Sequence, residues 1–544
     1  MESRLEKELL KRNFISEAEF RNMNKSVEVS INEIISRKKG INKKAILELL
    51  EKEFSIYTIN IDEEKIDYKA AARIPKEIAV KYCVFAFKIE LETLFIASPE
   101  PFDNNALEDL RFASGMEIRF FFCEKNRIDS VISNFYERQT AENDIASIKN
   151  YSNEHTNENS KEILNAPLVK IVDYIINQGV SLRASDIHIE PFEKYTRIRL
   201  RIDGRLTELI RLPENVNKMI AIRIKILSRL ETSEKKIPQD GKFQQVIRKQ
   251  CYDFRVSVIP AIYGETIVIR ILYKSAVEMN FNALGFSKEN IEILEKILTH
   301  SSGMILITGP TGSGKSTTLY SMLNKLNRND KKIVTLEDPV EYNLQGVNQI
   351  NINSKFGLDF ASGLRSVLRQ DPDIIMLGEI RDEETAEIAV KASITGHLVL
   401  STLHTKDSPT SISRLRDMGV PYYLISDSII AVIAQRLVRK NCTLCKALHE
   451  PEEIEIKILK SRMKLYKGKG CLNCKGTGHY GRIAIYEIMY IKEGHRKIIN
   501  TQSSAEELKE YCISSGMKNL EQEALRLLEE GIIPVEEYLK IALG

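Results

Sequence analysis

Residues 305 to 319 read Ile-Leu-Ile-Thr-Gly-Pro-Thr-Gly-Ser-Gly-Lys-Ser-Thr-Thr-Leu. An apolar, β-branched run of buried-strand length leads into Gly309-Pro310-Thr311-Gly312-Ser313-Gly314-Lys315-Ser316, which fits the phosphate-loop pattern G-x-x-x-x-G-K-[ST]. The chemistry demands these residue types. Glycines let backbone N–H groups wrap a phosphate, and the following helix aims its positive dipole end at the same group. On this pattern Lys315 reaches the β- and γ-phosphates, and Ser316, followed by Thr317, offers a hydroxyl to Mg²⁺. ATP and Mg²⁺ are the expected ligands of residues 309–317.

Two further apolar strands end in acids. Ile333-Val-Thr-Leu336 leads into Glu337-Asp-Pro-Val-Glu341, and Ile374-Ile-Met-Leu377 leads into Gly378-Glu-Ile-Arg-Asp382. In a parallel-sheet NTPase one such acid holds the Mg²⁺ shell and another polarises the attacking water. Spacing alone does not choose Glu341 over Glu337. A third strand, starting at His397 and ending at Leu403, runs into His404-Thr405. Two histidines bracketing one strand beside the sheet edge point to a γ-phosphate sensor or a subunit contact. Upstream, Arg255 and Arg270 punctuate the apolar strands Tyr252–Ile259 and Thr266–Leu272, within reach of a nucleotide. Arg197, Arg199 and Arg201 alternate with Ile198, Leu200 and Ile202, and read as a solvated strand face.

Cys442, Cys445, Cys471 and Cys474 form C-x₂-C-x₂₅-C-x₂-C, four thiolates for a closed structural Zn²⁺ site. Gly468, Gly470, Gly476 and Gly478 supply the turns that bring the sulfurs round one ion. A loop with so few apolar residues is expected to need the metal in order to fold.

The elements that position these residues read as several domains, because 544 residues exceed one core. The predicted division is a small α/β domain over 1–136, a flexible linker over 137–163, a second α/β domain over 164–281, and an ATPase domain over 282–544 carrying the zinc subdomain at 440–480. In the first, Leu5–Lys11, Glu17–Met23, Asn42–Phe54, Pro75–Tyr82, Asn104–Phe112 and Arg127–Tyr136 have helical spacing, while Val84–Ile89, Thr93–Ser98 and Glu117–Phe122 read as strands. Val169–Asn177 predicts a helix and Asp186–Glu190 a strand. Ser504-Ala-Glu-Glu507 is a capping box that opens a helical tail. Net charge is +3, from 79 basic and 76 acidic residues. With no tryptophan and no basic patch interleaved with aromatics, nucleic acid is not an expected partner. No apolar run is long enough to span a bilayer and Met1–Arg12 is highly charged, so a cytoplasmic location is expected.

Over nearly its whole length the chain resembles the assembly ATPases of type IV pili and type II secretion. The matching stretches are Ala184–Pro191, Arg201-Ile-Asp-Gly204, Gly309–Thr318, Glu337–Glu341, Gly378-Glu379, Thr395-Gly-His397 with Ser401–His404, and Ala434-Gln-Arg-Leu437 before the cysteines. The resemblance implies a homohexameric ring with a RecA-like C-terminal domain and a PAS-like second domain. It implies Glu341 as catalytic base and Glu379 as the Walker B acid on Mg²⁺ with Ser316. It also implies Arg255 and Arg270 as neutralisers of γ-phosphate charge, and His404 as nucleotide sensor. The implied function is ATP-driven pilus assembly through an inner-membrane platform protein, at the inner face of the membrane, with type II secretion as the alternative. Some members bind cyclic di-GMP through N-terminal segments opening Arg-Leu-Gly; here Leu9–Ile15 lacks that glycine, which argues against the ligand and for docking to a membrane partner.

Overall fold

The computed structural model describes most residues from 51 to 543; residues 1–50, 140–159 and 274–279, and scattered shorter gaps, lie outside the description. The helices expected at Leu5–Lys11 and Glu17–Met23, and nearly all of Asn42–Phe54, therefore fall outside it.

Three sheets organise the described chain, with a short fourth at the cysteines. The first contains β1 (Phe85–Glu90), β2 (Thr93–Ser98) and β3 (Glu117–Phe122), joined through the helix Asn104–Ser114. The strands end within a residue of where their alternation predicts.

The second sheet is antiparallel, in the order β6-β5-β4-β9-β8-β7. Its strands are β4 (Asp186–Pro191), β5 (Tyr195–Ile202), β6 (Arg205–Pro213), β7 (Gln239–Ile247), β8 (Gln250–Ala261) and β9 (Gly264–Leu272). Its apolar face packs on helices Ser160–Ser181 and Val216–Leu227, with Ile187, Ile189, Ile198, Leu200, Ile267 and Ile269 in one cluster. The first helix starts at Ser160, one turn earlier than the predicted domain start, so residues 160–163 are helical and not linker. On the outer face the arginine row of β5 is ion-paired: Arg197 and Arg199 hold Glu190, at 3.2 and 2.6 Å, and Arg201 lies 3.7 Å from Asp186. The acids of Asp186-Ile-His-Ile-Glu190 are the cross-strand partners of those arginines.

The third sheet has the order β12-β11-β13-β14-β10-β15-β18, all parallel except β18. Its strands are β10 (Gly303–Thr308), β11 (Ile333–Glu337), β12 (Asn348–Asn351), β13 (Ile374–Leu377), β14 (Leu398–Leu403), β15 (Ile429–Asn441) and β18 (His479–Tyr490). Met304 and Leu306 of β10 enter one core cluster and Ile305 and Ile307 another, so both faces are covered by helices. That explains the unbroken apolar runs, which an antiparallel sheet with one wet face would not need. Phe281, assigned from sequence to the second domain, packs in the core of this sheet at 5.7 Å from Phe286.

Between β15 and β18 the chain forms β16 (Lys446–His449), helix Glu453–Leu459 and β17 (Leu465–Gly468). Leu465, Val438 and Ile485 pack against Leu527 and Leu528 of helix Leu520–Glu529 and against Ile533 just before the last helix, and the capping box predicted at Ser504 and Glu507 opens helix Ala505–Ser514. Arg439 of β15 is nearly enclosed and donates to Glu537 Oε1 through Nε and Nη2, at 2.9 and 2.6 Å. The Arg439 N–H reaches the other carboxylate oxygen at 3.0 Å. Burial pushes the Glu537 carboxyl up, but its bonds to Arg439 and Lys540 outweigh that and hold it below its ordinary value. The pair therefore stabilises the fold above the unfolded glutamate pKa of about 4.3, and the contribution is lost as pH falls through the lower folded value. Glu537→Ala leaves a buried guanidinium unpaired and should cost about 3 kcal/mol near neutral pH. The readout is a lower urea midpoint, with the gap to the parent chain closing at acid pH.

Candidate functional site

Four strands of the third sheet deliver their C-terminal ends to one edge. Thr308 of β10 is level with Leu403 of β14, and Leu336 of β11 with Leu377 of β13. The loops that follow carry the phosphate loop, Glu341, Glu379 and His404. Backbone register, not local spacing, brings them together.

The phosphate loop enters helix Lys315–Leu326 through Gly314, whose φ of 90° suits a residue without Cβ. Gly309 is required for another reason: a Cβ there would sit 2.4 Å from the Gln435 carbonyl oxygen. Lys315 Nζ donates to the Gly309 and Pro310 carbonyls at 2.8 and 3.2 Å. Burial pushes its pKa down, partly opposed by the nearby Glu379 carboxylate. Ser316 is exposed at the head of the helix, and Thr317 beside it is half-buried.

The buried Gln435, from Ala434-Gln-Arg-Leu437, clamps the loop from below. Its amide N–H donates to the Ser313 carbonyl at 2.9 Å, and its oxygen accepts from Thr318 Oγ1 at 2.9 Å. The Thr405 N–H donates to Thr308 Oγ1 at 2.9 Å, fixing the loop after β14 to the strand that feeds the phosphate loop. Sequence reasoning gave Gln435 no role; a glutamine inside the apolar run of β15 was the available signal.

Glu379 follows β13 and pairs with Arg381 and with His404 Nε2, the latter at 3.3 Å. The Arg381 bond, over the opposition of burial, holds the Glu379 carboxyl below the usual range. An ionised oxygen donor close enough to Lys315 to raise its pKa suits a hard cation such as Mg²⁺. The two histidines are not at one edge. His397 precedes β14, its Nδ1 3.0 Å from the Ala392 carbonyl oxygen, while His404 follows the strand. Seven residue steps at about 3.3 Å each separate them by roughly 23 Å, so only His404 belongs to the site.

Glu337 and Glu341 occupy different settings. Glu337 is buried, accepting from Tyr320, from Thr335 Oγ1 at 2.6 Å and from Gln349 Nε2 at 3.0 Å. Glu341 is half-exposed, with Arg255 Nη1 3.2 Å from its Oε2. Arg255 Nη2 also donates to the Val340 carbonyl at 2.7 Å, so the second sheet grips this loop directly. Arg270 lies opposite Arg255 on β9 but turns to Asp186, whose Oδ1 is 3.0 Å from its Nε. Removing the Gln435 side chain leaves the buried Thr318 hydroxyl and Ser313 carbonyl unpaired, at about 1–3 kcal/mol each. Gln435→Ala should weaken nucleotide binding by about tenfold, measured by titration with a fluorescent ATP analogue.

The cysteines also converge. All four Sγ atoms lie within 4.8 Å of one another, and the four residues are buried. Cys442 and Cys471 sulfurs are 3.8 Å apart, Cys445 and Cys474 3.7 Å, and Cys471 and Cys474 3.6 Å. These are too long for disulfides and close to the roughly 3.8 Å edge of a tetrahedron with metal–sulfur bonds of about 2.3 Å. Backbone N–H groups of Gly470, Cys471 and Gly478 donate to the sulfurs at 3.3, 3.1 and 3.3 Å, as anionic thiolates require. Gly468 and Gly478 cross so closely that a Cβ on the first would meet the Gly478 oxygen at 2.0 Å. The segment has an apolar anchor besides the cysteines: the fully buried Leu465 packs it against the C-terminal helices.

Residues 161–540 match the family described as type II/IV secretion system protein, and residues 54–142 match the MshEN domain. The type IV pilus assembly ATPase PilB of Myxococcus xanthus is 37% identical over 558 aligned residues, 99% of each chain. The type II secretion system protein E of Pseudomonas aeruginosa is 42% identical over 380 residues, 69% of this chain and 76% of its own. The solved structure of the Legionella pneumophila ATPase DotB shares the fold, with a TM-score of 0.52 at 24% identity, over 68% of this chain and 95% of that one. Together with the phosphate loop and its acid-tipped strands, these matches show that the chain belongs to the type II/IV secretion system protein family and is one of its ATPases.

Proposed function

We propose that this ATPase powers type IV pilus assembly as a homohexameric motor, acting through an inner-membrane platform protein from the cytoplasmic face. The observation that carries the reading is the convergence of Lys315, Glu341, Glu379 and His404 on one sheet edge, with Arg255 reaching in from the second sheet. End-to-end similarity to a pilus assembly ATPase favours assembly over type II secretion, whose representative above aligns with 69% of the chain. Among the described residues no helix is long and apolar enough to cross a membrane, so a membrane partner would be reached by docking. Residues 1–136 are assigned that docking role, the stretch from 137 to the helix that starts at Ser160 the connection, and 160–280 and 281–544 the two nucleotide-facing domains.

Residues 309–317 would hold the ATP phosphates, with Lys315 on the β- and γ-phosphates. Ser316 and Glu379 are the residues to hold Mg²⁺, which when bound neutralises phosphate charge. Glu341 takes the proton of the attacking water: it is the half-exposed acid of the loop, whereas the Glu337 oxygens are already committed to buried donors. Arg255, beside Glu341, and Arg270, which would first have to leave Asp186, stabilise charge developing on the γ-phosphate, and His404 senses the nucleotide through its contact with Glu379. The four cysteines would hold a structural Zn²⁺ with no open ligand position.

Lys315→Ala should abolish hydrolysis, while Glu341→Gln should keep nucleotide binding and lose turnover. Phosphate release and ATP titration on the same preparations separate the two effects; near-normal turnover in Glu341→Gln would move the base to Glu379. Deleting the gene should remove surface pili; loss of protein secretion with pili intact would instead favour the secretion reading.

Elemental analysis of protein purified without chelator should find about one zinc per chain. Stripping the metal should loosen residues 440–480 to proteolysis while single-subunit nucleotide binding persists. A metal-free chain with that segment intact defeats the zinc assignment.

A further inference from the structure

Tyr320 sits on helix Lys315–Leu326, between the phosphate loop and the loop that carries Glu341. Only 1% of its surface is exposed, so its hydroxyl must find partners inside the protein. It finds two. The hydroxyl donates to Glu337 Oε2, and it accepts the Glu341 backbone N–H at 3.1 Å.

Chemistry fixes both directions. A backbone N–H can only donate, so the Tyr320 oxygen accepts from Glu341 and its proton must go elsewhere. Glu337 receives that proton as its third donor, after Thr335 and Gln349 on the other oxygen. Three donors suit a carboxylate that only accepts, and charge-assisted bonds of this kind are the stronger ones. Burial, and then the Glu337 bond, raise the Tyr320 pKa, so the phenol keeps its proton at any working pH. The Tyr320 ring meets Tyr342 edge-on at 5.9 Å, which holds the ring independently of its hydroxyl.

We infer that Tyr320 is a positioning residue: through its hydroxyl, oriented by Glu337, it fixes the backbone of Glu341 at a set distance from the phosphate loop. The inference rests on Glu341 as the base. A general base works only within hydrogen-bond reach of its water, and a misplacement of about 1 Å can cost about 100-fold. Asn351 Oδ1 holds the preceding Val340 N–H at 2.8 Å and Arg255 holds the Val340 carbonyl, whereas the Tyr320 tether runs to the phosphate-loop helix itself.

The test is a double-mutant cycle in the full chain. Tyr320→Phe keeps the ring and removes both bonds. It should lower kcat by roughly 10- to 100-fold, with the ATP KM and ADP affinity within about twofold of the parent. Placed in Glu341→Gln, the same change should alter residual turnover by less than about twofold, because its effect passes through Glu341. An unchanged kcat in Tyr320→Phe overturns the inference, as does an equal fractional loss in both backgrounds. Full turnover in Glu341→Gln alone would instead remove the reading of Glu341 beneath it. Should Tyr320→Phe misfold, Glu337→Gln serves: its amide cannot satisfy all three donors, so kcat should fall at constant KM, and an unchanged kcat again overturns the inference.

Discussion

A parallel sheet sends every strand's chemistry to the same side, and the rest of this chain depends on that constraint. Hydrogen-bonded register sets Thr308 level with Leu403 and Leu336 level with Leu377, so the loops beyond them must share one edge. Each strand can then contribute a single group without coordinating its local sequence with the others. The cost is that the strands must be apolar on both faces, which the two core clusters on either side of β10 satisfy.

The edge is kept rigid by buried polar groups whose donors and acceptors match. Gln435 uses both ends of its amide, Thr308 and Thr405 bond to each other, and Glu337 accepts from three donors. Low surrounding polarity makes each such bond stronger and each unpaired group more costly. Glu337, the last residue of β11, and Glu341, four residues on in the loop that follows, thereby take separate work. One is consumed in holding the loop, and the other is left where solvent and Arg255 can reach it.

The sequence made legible whatever is local. The phosphate loop, the acid-tipped strands, the cysteine pairs and the strand Glu117–Phe122 depend on spacing within a few residues. What stayed hidden depends on partners far along the chain. Gln435 meets Thr318 across 117 positions, and Arg255 meets Val340 across 85. The acids of β4 explain the arginines of β5, but only once antiparallel register sets them side by side. The histidine pair misled for a simple reason: residues that flank a strand sit at its opposite ends. The apolar anchor of the cysteine segment was hidden by distance along the chain: Leu465 finds its cover in helices more than fifty residues later.

The last rung of the β15–β18 ladder joins Asn441 to His479, and everything from Cys442 to Gly478 hangs beyond it. Topologically this is an insertion at a hairpin tip, and a short turn could close the ladder in its place. Leu465, however, roofs Leu527, Leu528 and Ile533, so trimming the tip alone would expose an oily surface. The cysteine unit thus rests on the final two helices, which themselves pack on Val438 and Ile485 of the main sheet and pair Glu537 with Arg439. An engineer wishing to minimise this ATPase could not trim the tip without uncovering those helices, nor remove the helices as well without stranding Arg439.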